Sequence, residues 1–272
     1  AESKLENVLS VWSGLGYYSR AKNLHTTASL ICSSSQKKFP RNAEEWEKFP
    51  GIGFSTAASI SSFVNNERVP VMDANVIRVF ARQLMFEDLV GSTALKRKIL
   101  PMANKFLPLD SNDMPIYTQS IMDLGSILCR PKNPKCDLCP VSNYCSAFKT
   151  SNISNYPVKR IKKRKQKKLV NWLIPYTSDS VGLVLLKNSK LWNGLWTPIQ
   201  ILCQSQIPYG ASFDNKFKIP ISNFILEISI WSILCTCKST YKSVKWFNKQ
   251  DLLNGPVPST VKQALSSNKF FL

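Results

Sequence analysis

The sequence predicts a mainly α-helical N-terminal part followed by a smaller α+β domain, and three observations support this fold class. Residues 1–150 show helical spacing of apolar residues, interrupted by Gly and Pro, and end in a group of cysteines. From residue 169 to residue 272, short runs of branched and aromatic residues alternate with turn formers. Between these regions lies a basic stretch with too few apolar residues to fold alone. We therefore expect two domains joined by a basic linker, residues 151–168.

The charge balance indicates a polyanionic partner. The 272 residues include 36 Lys and Arg against 17 Asp and Glu, a formal net charge of +19. Such an excess favours nucleic acid first and an acidic membrane surface second. No run of about 18 apolar residues occurs, so a membrane span is excluded. The basic linker is either solvated or a further nucleic-acid contact, and composition leaves both open.

The first predicted helix begins almost at residue 1, because Leu5, Val8, Leu9 and Trp12 already follow helical spacing. We therefore expect that an N-terminal piece precedes this chain.

A hairpin between two further helices is predicted after Ala43–Lys48, where Gly51 and Gly53 make a tight turn. Glycines let backbone amides approach an anion, and the next helix adds the positive end of its dipole. The hairpin is thus a candidate phosphate-binding site, with a plain helix–helix turn as the alternative.

An aspartate follows the hairpin by about twenty residues. Val76, Val79 and Phe80 form an apolar helical stripe, which places Asp73 at or just before the start of that helix. An N-cap is the simple interpretation of such an aspartate. The alternative is a carboxylate that stabilises positive charge developing on a sugar.

Four cysteines with the spacing C-x6-C-x2-C-x5-C predict a metal centre. Thiolates packed this closely can surround a tetrahedral zinc or an iron–sulfur cluster. A disulfide framework is not expected, because no secretion signal is visible and the other four cysteines are scattered. The predicted ligands are Cys129, Cys136, Cys139 and Cys145.

The C-terminal part contains three predicted strands, Val181–Leu186, Asn223–Ile230 and Ser243–Phe247. A last helix, Ser259–Ser266, follows a stretch rich in Gly and Pro. This combination predicts an α+β domain of about 100 residues.

Together these segments resemble the MutY adenine DNA glycosylases, helix-hairpin-helix proteins that are close kin of endonuclease III. The resemblance covers most of residues 5–150, including Val11–His25, the hairpin, Val71–Asn75, Met122–Gly125 and the four cysteines in order. It implies an all-helical pair of lobes, a [4Fe-4S] cluster on the four cysteines, and double-stranded DNA as the partner. The family hydrolyses the glycosidic bond of adenine mispaired with 8-oxoguanine or guanine, after flipping the base out of the duplex.

The resemblance also assigns roles to individual residues. Asp73 takes the place of the catalytic aspartate, which stabilises the oxocarbenium-like state or its covalent successor. Tyr17 corresponds to the intercalating tyrosine, and Asn75 and Arg78 orient the carboxylate or a nearby phosphate. The DNA contacts implied in this way are Tyr17, Gly51, Gly53, Ser55, Asn75, Arg78 and Ser222.

Two features bear on the reaction. Where lyase relatives carry a lysine, this chain has Ser55, which cannot form a Schiff base, so a monofunctional glycosylase is expected. The family's general-acid glutamate precedes the matched region, so the chain by itself is expected to be inactive.

The region 169–272 resembles the MutT-like domain that inspects 8-oxoguanine. The string Ile221-Ser222-Asn223 keeps the serine of the family's Phe-Ser-His loop but lacks its aromatic residue and its histidine. The resemblance further implies a monomer in the bacterial cytoplasm, associated with the nucleoid. Two alternatives stay open: a non-catalytic iron–sulfur DNA-binding relic of a glycosylase, and an endonuclease III-like lyase.

Overall fold

The computed structural model describes residues 1–34, 38–159, 165–189, 191–221, 224–241 and 243–266. The chain forms two compact units, one made of Ala1–Ser29 with Lys163–Leu272 and the other of Leu30–Lys162. The N-terminal residues thus belong to the same unit as the C-terminal part. The expected domain limits, 1–150 and 169–272, stay a prediction.

Helices dominate the chain up to residue 149. None of the helices in the described ranges has the length and apolar character needed to cross a membrane. In chain order the helices of the described residues are α1 Leu5–Val11, α2 Tyr18–Ser33, α3 Ala43–Glu47, α4 Phe54–Asn65, α5 Ala74–Gln83, α6 Thr93–Lys105, α7 Met114–Asp123, α8 Ser146–Lys149, α9 Lys249–Asn254 and α10 Ser259–Ser266.

The core of the unit Leu30–Lys162 is built around α5. Its apolar stripe, Val76, Ile77 and Phe80, packs against Leu95 and Ile99 of α6. Polar side chains fix where these helices begin, since each accepts a hydrogen bond from a first-turn amide. The side chains that do so are Asn42 for α3, Asp73 for α5 and Ser92 for α6.

The C-terminal part contains a seven-stranded sheet. Its path is β3-β2-β1-β6-β5, while β4 pairs with β1 and β7 pairs with β2. β1 and β6 are parallel over their full lengths and every other pair is antiparallel. The strands are β1 Gln166–Tyr176, β2 Val181–Leu185, β3 Trp196–Thr197, β4 Ile199–Ile201, β5 Ser212–Pro220, β6 Phe224–Leu234 and β7 Lys245–Phe247. A helical N-terminal part followed by a sheet is therefore confirmed.

One face of this sheet forms the core of its unit. Trp172 and Ile174 of β1 and Ile228 of β6 pack there against Val261 and Leu265 of α10. Because side chains alternate between faces along a strand, the intervening residues of β1, β5 and β6 point to the opposite face. A smaller cluster of the same unit joins Leu9 of α1, Ala21 of α2 and Leu195.

Candidate functional site

The predicted hairpin is present and its apolar residues anchor it. Phe49 and Ile52 pack against a cluster that includes Trp46 and Ala57. Gly51 has φ +75°, a left-handed conformation that favours glycine. Gly53 is the N-cap of α4 and offers no side chain to the first-turn amides. The hairpin therefore presents backbone donors at a helix N-terminus, as an anion site requires.

Asp73 lies at the N-cap of α5, and its carboxylate is held from two sides. Oδ1 accepts a hydrogen bond from the Val76 amide at 2.7 Å. Oδ2 lies 3.5 Å from Nδ2 of Asn75. Asp73 is half-buried, so one oxygen is fixed while the other keeps only a long contact. The N-cap interpretation is confirmed, and it is compatible with a second role for the carboxylate.

Arg78 connects this aspartate to the cysteine loop. Its Nη2 donates to Oδ1 of Asn75 at 2.9 Å and to the Gly125 carbonyl at 2.6 Å, and its Nε donates to the Cys129 carbonyl at 2.7 Å. Arg78 is only 7% exposed, and burial lowers the pKa of its guanidinium. It thus orients Asn75 through protein contacts, while its contact with DNA stays a prediction.

The four cysteines line one cavity. Short helical turns position them: Cys129 ends the turn Leu124–Leu128, Cys136 begins the turn Cys136–Leu138, and Cys145 caps α8. Leu128, Phe148 and Ile153 complete an apolar lining around this cavity. The four thiols are free of disulfides.

These residues fit an iron–sulfur cluster, because four free thiols line one common cavity. Such a set suits a group that is bound through its four corners. Burial raises the pKa of the Cys136 and Cys139 thiols, so binding would release their protons.

Sequence reasoning missed two residues of this region. Arg82, 3% exposed, donates from Nη1 to Sγ of Cys129 at 3.3 Å and to the Arg130 carbonyl at 2.8 Å. At Gly125, a Cβ atom would lie 2.8 Å from Cβ of Asn75. Only a weak signal in the sequence points to Arg82. Arg78 and Arg82 lie four residues apart on an apolar helix, so both need buried acceptors, but their spacing does not identify those acceptors.

The remaining predicted residues lie elsewhere. Tyr17 is 81% exposed with φ +45°, and the Arg20 guanidinium lies 5.5 Å from its ring centre. Ser55 is in the first turn of α4, and together with Lys96 and Arg97 it lines an open hollow beside the hairpin. Ser222 falls outside the described residues.

Comparisons with known proteins agree with this geometry. Residues 129–145 match the family described as the iron–sulfur binding domain of endonuclease III. Two relatives named adenine DNA glycosylase come from Buchnera aphidicola. The one from strain Sg is 34% identical over 72% of this chain and 56% of its own length. The one from strain APS is 32% identical over 98% of this chain and 80% of its own length. The chain thus spans about half to four fifths of the relatives that it matches.

A solved structure of a non-covalent endonuclease III–DNA complex is similar over 55% of this chain and 67% of its own, with 23% identity and a TM-score of 0.45. The sequence comparisons define a class: the chain is similar to iron–sulfur DNA glycosylases. Within that class, the chain belongs to the adenine DNA glycosylase family. These relatives support the glycosylase interpretation and neither of its alternatives.

Proposed function

We propose that the function is adenine excision from duplex DNA in which adenine is mispaired with 8-oxoguanine or guanine. The observation that carries the proposal is the Asp73 carboxylate, fixed at Oδ1 by the Val76 amide in a half-buried position within a family of adenine glycosylases. Breaking the bond between C1′ and the adenine nitrogen leaves positive charge on the deoxyribose. A pre-oriented carboxylate stabilises that charge more in the transition state than in the substrate.

The reaction ends with an abasic site. Water adds to C1′, adenine departs with a proton, and no amine of the hairpin attacks the sugar, because Ser55 occupies that position. The enzyme is therefore monofunctional. A lyase would instead be trapped on abasic DNA by borohydride, and we expect no such cross-link.

Cys129, Cys136, Cys139 and Cys145 are the proposed cluster ligands. When bound, the cluster ties four points of the loop together and so contributes to its folding. The protein's own part is to position the first ligand, since Arg82 and Arg78 both hold Cys129.

The proposed DNA contacts have different tasks. The amides at Gly51 and Gly53 bind a phosphate without reading sequence. Tyr17 enters the stack beside the flipped adenine, a role that its exposed ring supports. Asn75 and Ser55 lie near the reacting sugar, and Arg78 orients Asn75.

For the C-terminal part, we propose a MutT-like domain, residues 169–272, that recognises 8-oxoguanine through the loop carrying Ser222. Residues 1–150 then form the glycosylase domain and 151–168 the linker. The enzyme acts as a monomer on nucleoid DNA in the cytoplasm.

The test is adenine release by the protein translated from its complete gene, on a duplex with one adenine opposite 8-oxoguanine. Under single-turnover conditions with saturating enzyme, we expect alkali-labile abasic sites for the wild type. Asp73→Asn should slow release about 10²–10³-fold, because an electrostatic stabiliser is lost. Wild-type rates in Asp73→Asn would overturn the assignment of this residue, and a wild-type protein that releases no adenine would overturn the function.

A further inference from the structure

The open face of the C-terminal sheet carries a group of lysines around one buried carboxylate. Glu227 of β6 has a side chain that is only 8% exposed, and both of its oxygens have lysine neighbours. Lys167 of β1 and Lys218 of β5 lie 3.5 Å from Oε1, and Lys216 of β5 lies 3.5 Å from Oε2. We call Lys167, Lys216 and Lys218 the lysine trio.

The strand register explains why these side chains meet. β6 lies between β1 and β5, with Lys167 paired to Ile225 and Lys218 paired to Glu227. The lysine trio and Glu227 therefore share the face opposite the core of the unit. Among the described residues of this unit, α10 packs on the other face, with Val261 and Leu265 in the core.

One carboxylate cannot neutralise three ammonium groups, so the patch keeps a net charge of about +2. Like charges on neighbouring strands destabilise the sheet when they face each other without a partner. The lysine side chains are 48–61% exposed, so their ammonium groups remain available to a ligand from solvent. Such an arrangement favours an anion with several negative charges spaced along it.

The strand pairing places the patch at one end of the sheet. Lys218 is two residues before the end of β5, and Lys167 is paired one residue after the start of β6. The patch therefore lies where β5 ends and β6 begins. Lys165 adds a fourth ammonium group there and donates to the Ile221 carbonyl at 2.6 Å.

We propose that the lysine trio binds the phosphate backbone of duplex DNA, as a contact separate from the hairpin, with Glu227 as the group that holds the three side chains together. This inference rests on the proposed function, because it takes the glycosylase's DNA as the ligand. Phosphate contacts of this kind give affinity and register and no sequence specificity.

The experiment measures salt dependence. The protein translated from the complete gene, with its cluster, is titrated onto a fluorescent 25-base-pair duplex, undamaged or with adenine opposite 8-oxoguanine, over a series of salt concentrations. Each phosphate contact contributes about 0.9 to the slope of log Kd against log salt. Lys167→Gln/Lys216→Gln/Lys218→Gln should lower that slope by about 2 to 3 on both duplexes, and the triple Lys→Arg variant should keep it.

A matched variant removes the same charge from the same unit, Lys187→Gln/Lys238→Gln/Lys245→Gln. Lys238 and Lys245 each have an acid of their own, Asp179 and Glu6, whereas the lysine trio shares one glutamate. The slope should therefore change by less than about 1 in this variant. Equal losses in both triple variants would overturn the proposal, because charge alone would then explain binding. An unchanged slope in the trio variant would overturn it as well.

Two further readouts separate the alternatives. If the wild type is a dimer in gel filtration and the trio variant a monomer, the face is a self-association surface and the proposal fails.

Adenine release is measured in parallel. A wild type that binds DNA with the trio-dependent slope but releases no adenine contradicts the proposed function alone. Normal release with an unchanged slope contradicts the lysine contact alone.

Discussion

Arg82 shows how a single buried cation can organise the cysteine loop. Its hydrogen bonds go to the carbonyls of Tyr156 and Arg130 and to Sγ of Cys129. Removing one donor from a buried acceptor costs on the order of 1–3 kcal/mol, so losing several at once should disorder the loop. Lysine keeps the charge but lacks the planar fork that reaches these acceptors together.

We therefore expect Arg82→Met and Arg82→Lys to be purified with less than half of the wild-type iron, and with a lower visible absorbance of the cluster. Arg97→Met, an exposed arginine of α6, is the matched control and should keep its iron. Iron and sulfide analysis per chain provides the measurement. A full iron complement in Arg82→Met would show that the cysteines alone determine cluster retention.

Gly125 matters because the chain passes very close to Asn75. An added Cβ would lie 2.8 Å from Cβ of Asn75 and 3.0 Å from its carbonyl carbon, and that backbone cannot easily move. Gly125→Ala should destabilise the protein by about 1–3 kcal/mol. It should also slow adenine release, since Asn75 contacts Asp73. Gly53→Ala is the control: its added methyl group meets no atom within 4 Å, so this variant should unfold at the wild-type temperature.

For single residues, the sequence predicts apolar stripes and helix caps. It does not predict contacts with partners that lie far away in the chain. Asp73 was placed at a helix start because an apolar stripe follows it, and that prediction is confirmed. The acceptors of Arg82 lie 47 to 74 residues away in the chain, and no local pattern encodes them. The close approach at Gly125 likewise depends on tertiary packing.

Among the elements, the three strands around Glu227 should make stability depend on pH. Burial alone would raise the pKa of Glu227, but Lys167, Lys218 and Lys216 outweigh it and hold the pKa below its ordinary value. A carboxyl whose pKa is lowered by folding stabilises the protein above the unfolded pKa. That contribution is lost as the pH falls through the folded pKa.

Unfolding of the C-terminal sheet by urea should therefore become easier below about pH 4.5, near the carboxyl's ordinary pKa. Glu227→Gln should be less stable than the wild type at pH 7 and lose part of this pH dependence. Glu87→Gln, at an exposed position, provides the control. Parallel pH profiles for the wild type and Glu227→Gln would contradict the role of the lysines.

The predicted elements illustrate how pairing decides a strand. The run Val181–Leu186 and the helix Ser259–Ser266 agree with β2 and α10 within one residue, because both have strong patterns of their own. The prediction contained neither β1 nor β5. The Gln-Lys-Lys start of β1 and the Asp, Asn and Pro residues of β5 are types that strands disfavour, although the rest of each run suits a strand. Their pairing with β6 on either side outweighs that preference.

For the whole molecule, two units with separate cores predict separate responses to loss of the cluster. The cysteines and Arg82 belong to the unit Leu30–Lys162, whereas the sheet has its own apolar core. We expect calorimetry of the wild type to show two transitions. Chelation of iron should lower only one of them, and circular dichroism should assign that transition to helix. A single transition that shifts as a whole would contradict independent units.

Composition alone indicates a polyanionic partner, with nucleic acid first, because +19 is a property of the entire chain. Composition could not indicate that residues 1–29 join the C-terminal unit. That arrangement depends on contacts such as the cluster of Leu9, Ala21 and Leu195, whose members are far apart in sequence. Apolar periodicity identifies the buried side of a helix but leaves its partner open.

The shared unit of residues 1–29 and 163–272 also has a consequence for synthesis on the ribosome. The unit Leu30–Lys162 is continuous in sequence, so it can acquire its fold while residues 163–272 are still being translated. The first 29 residues must wait for the sheet. At about 5–20 residues per second, that delay is on the order of 5–20 s. During this interval the apolar side of α1 is available to chaperones, and slow codons for residues 163–272 would lengthen its exposure.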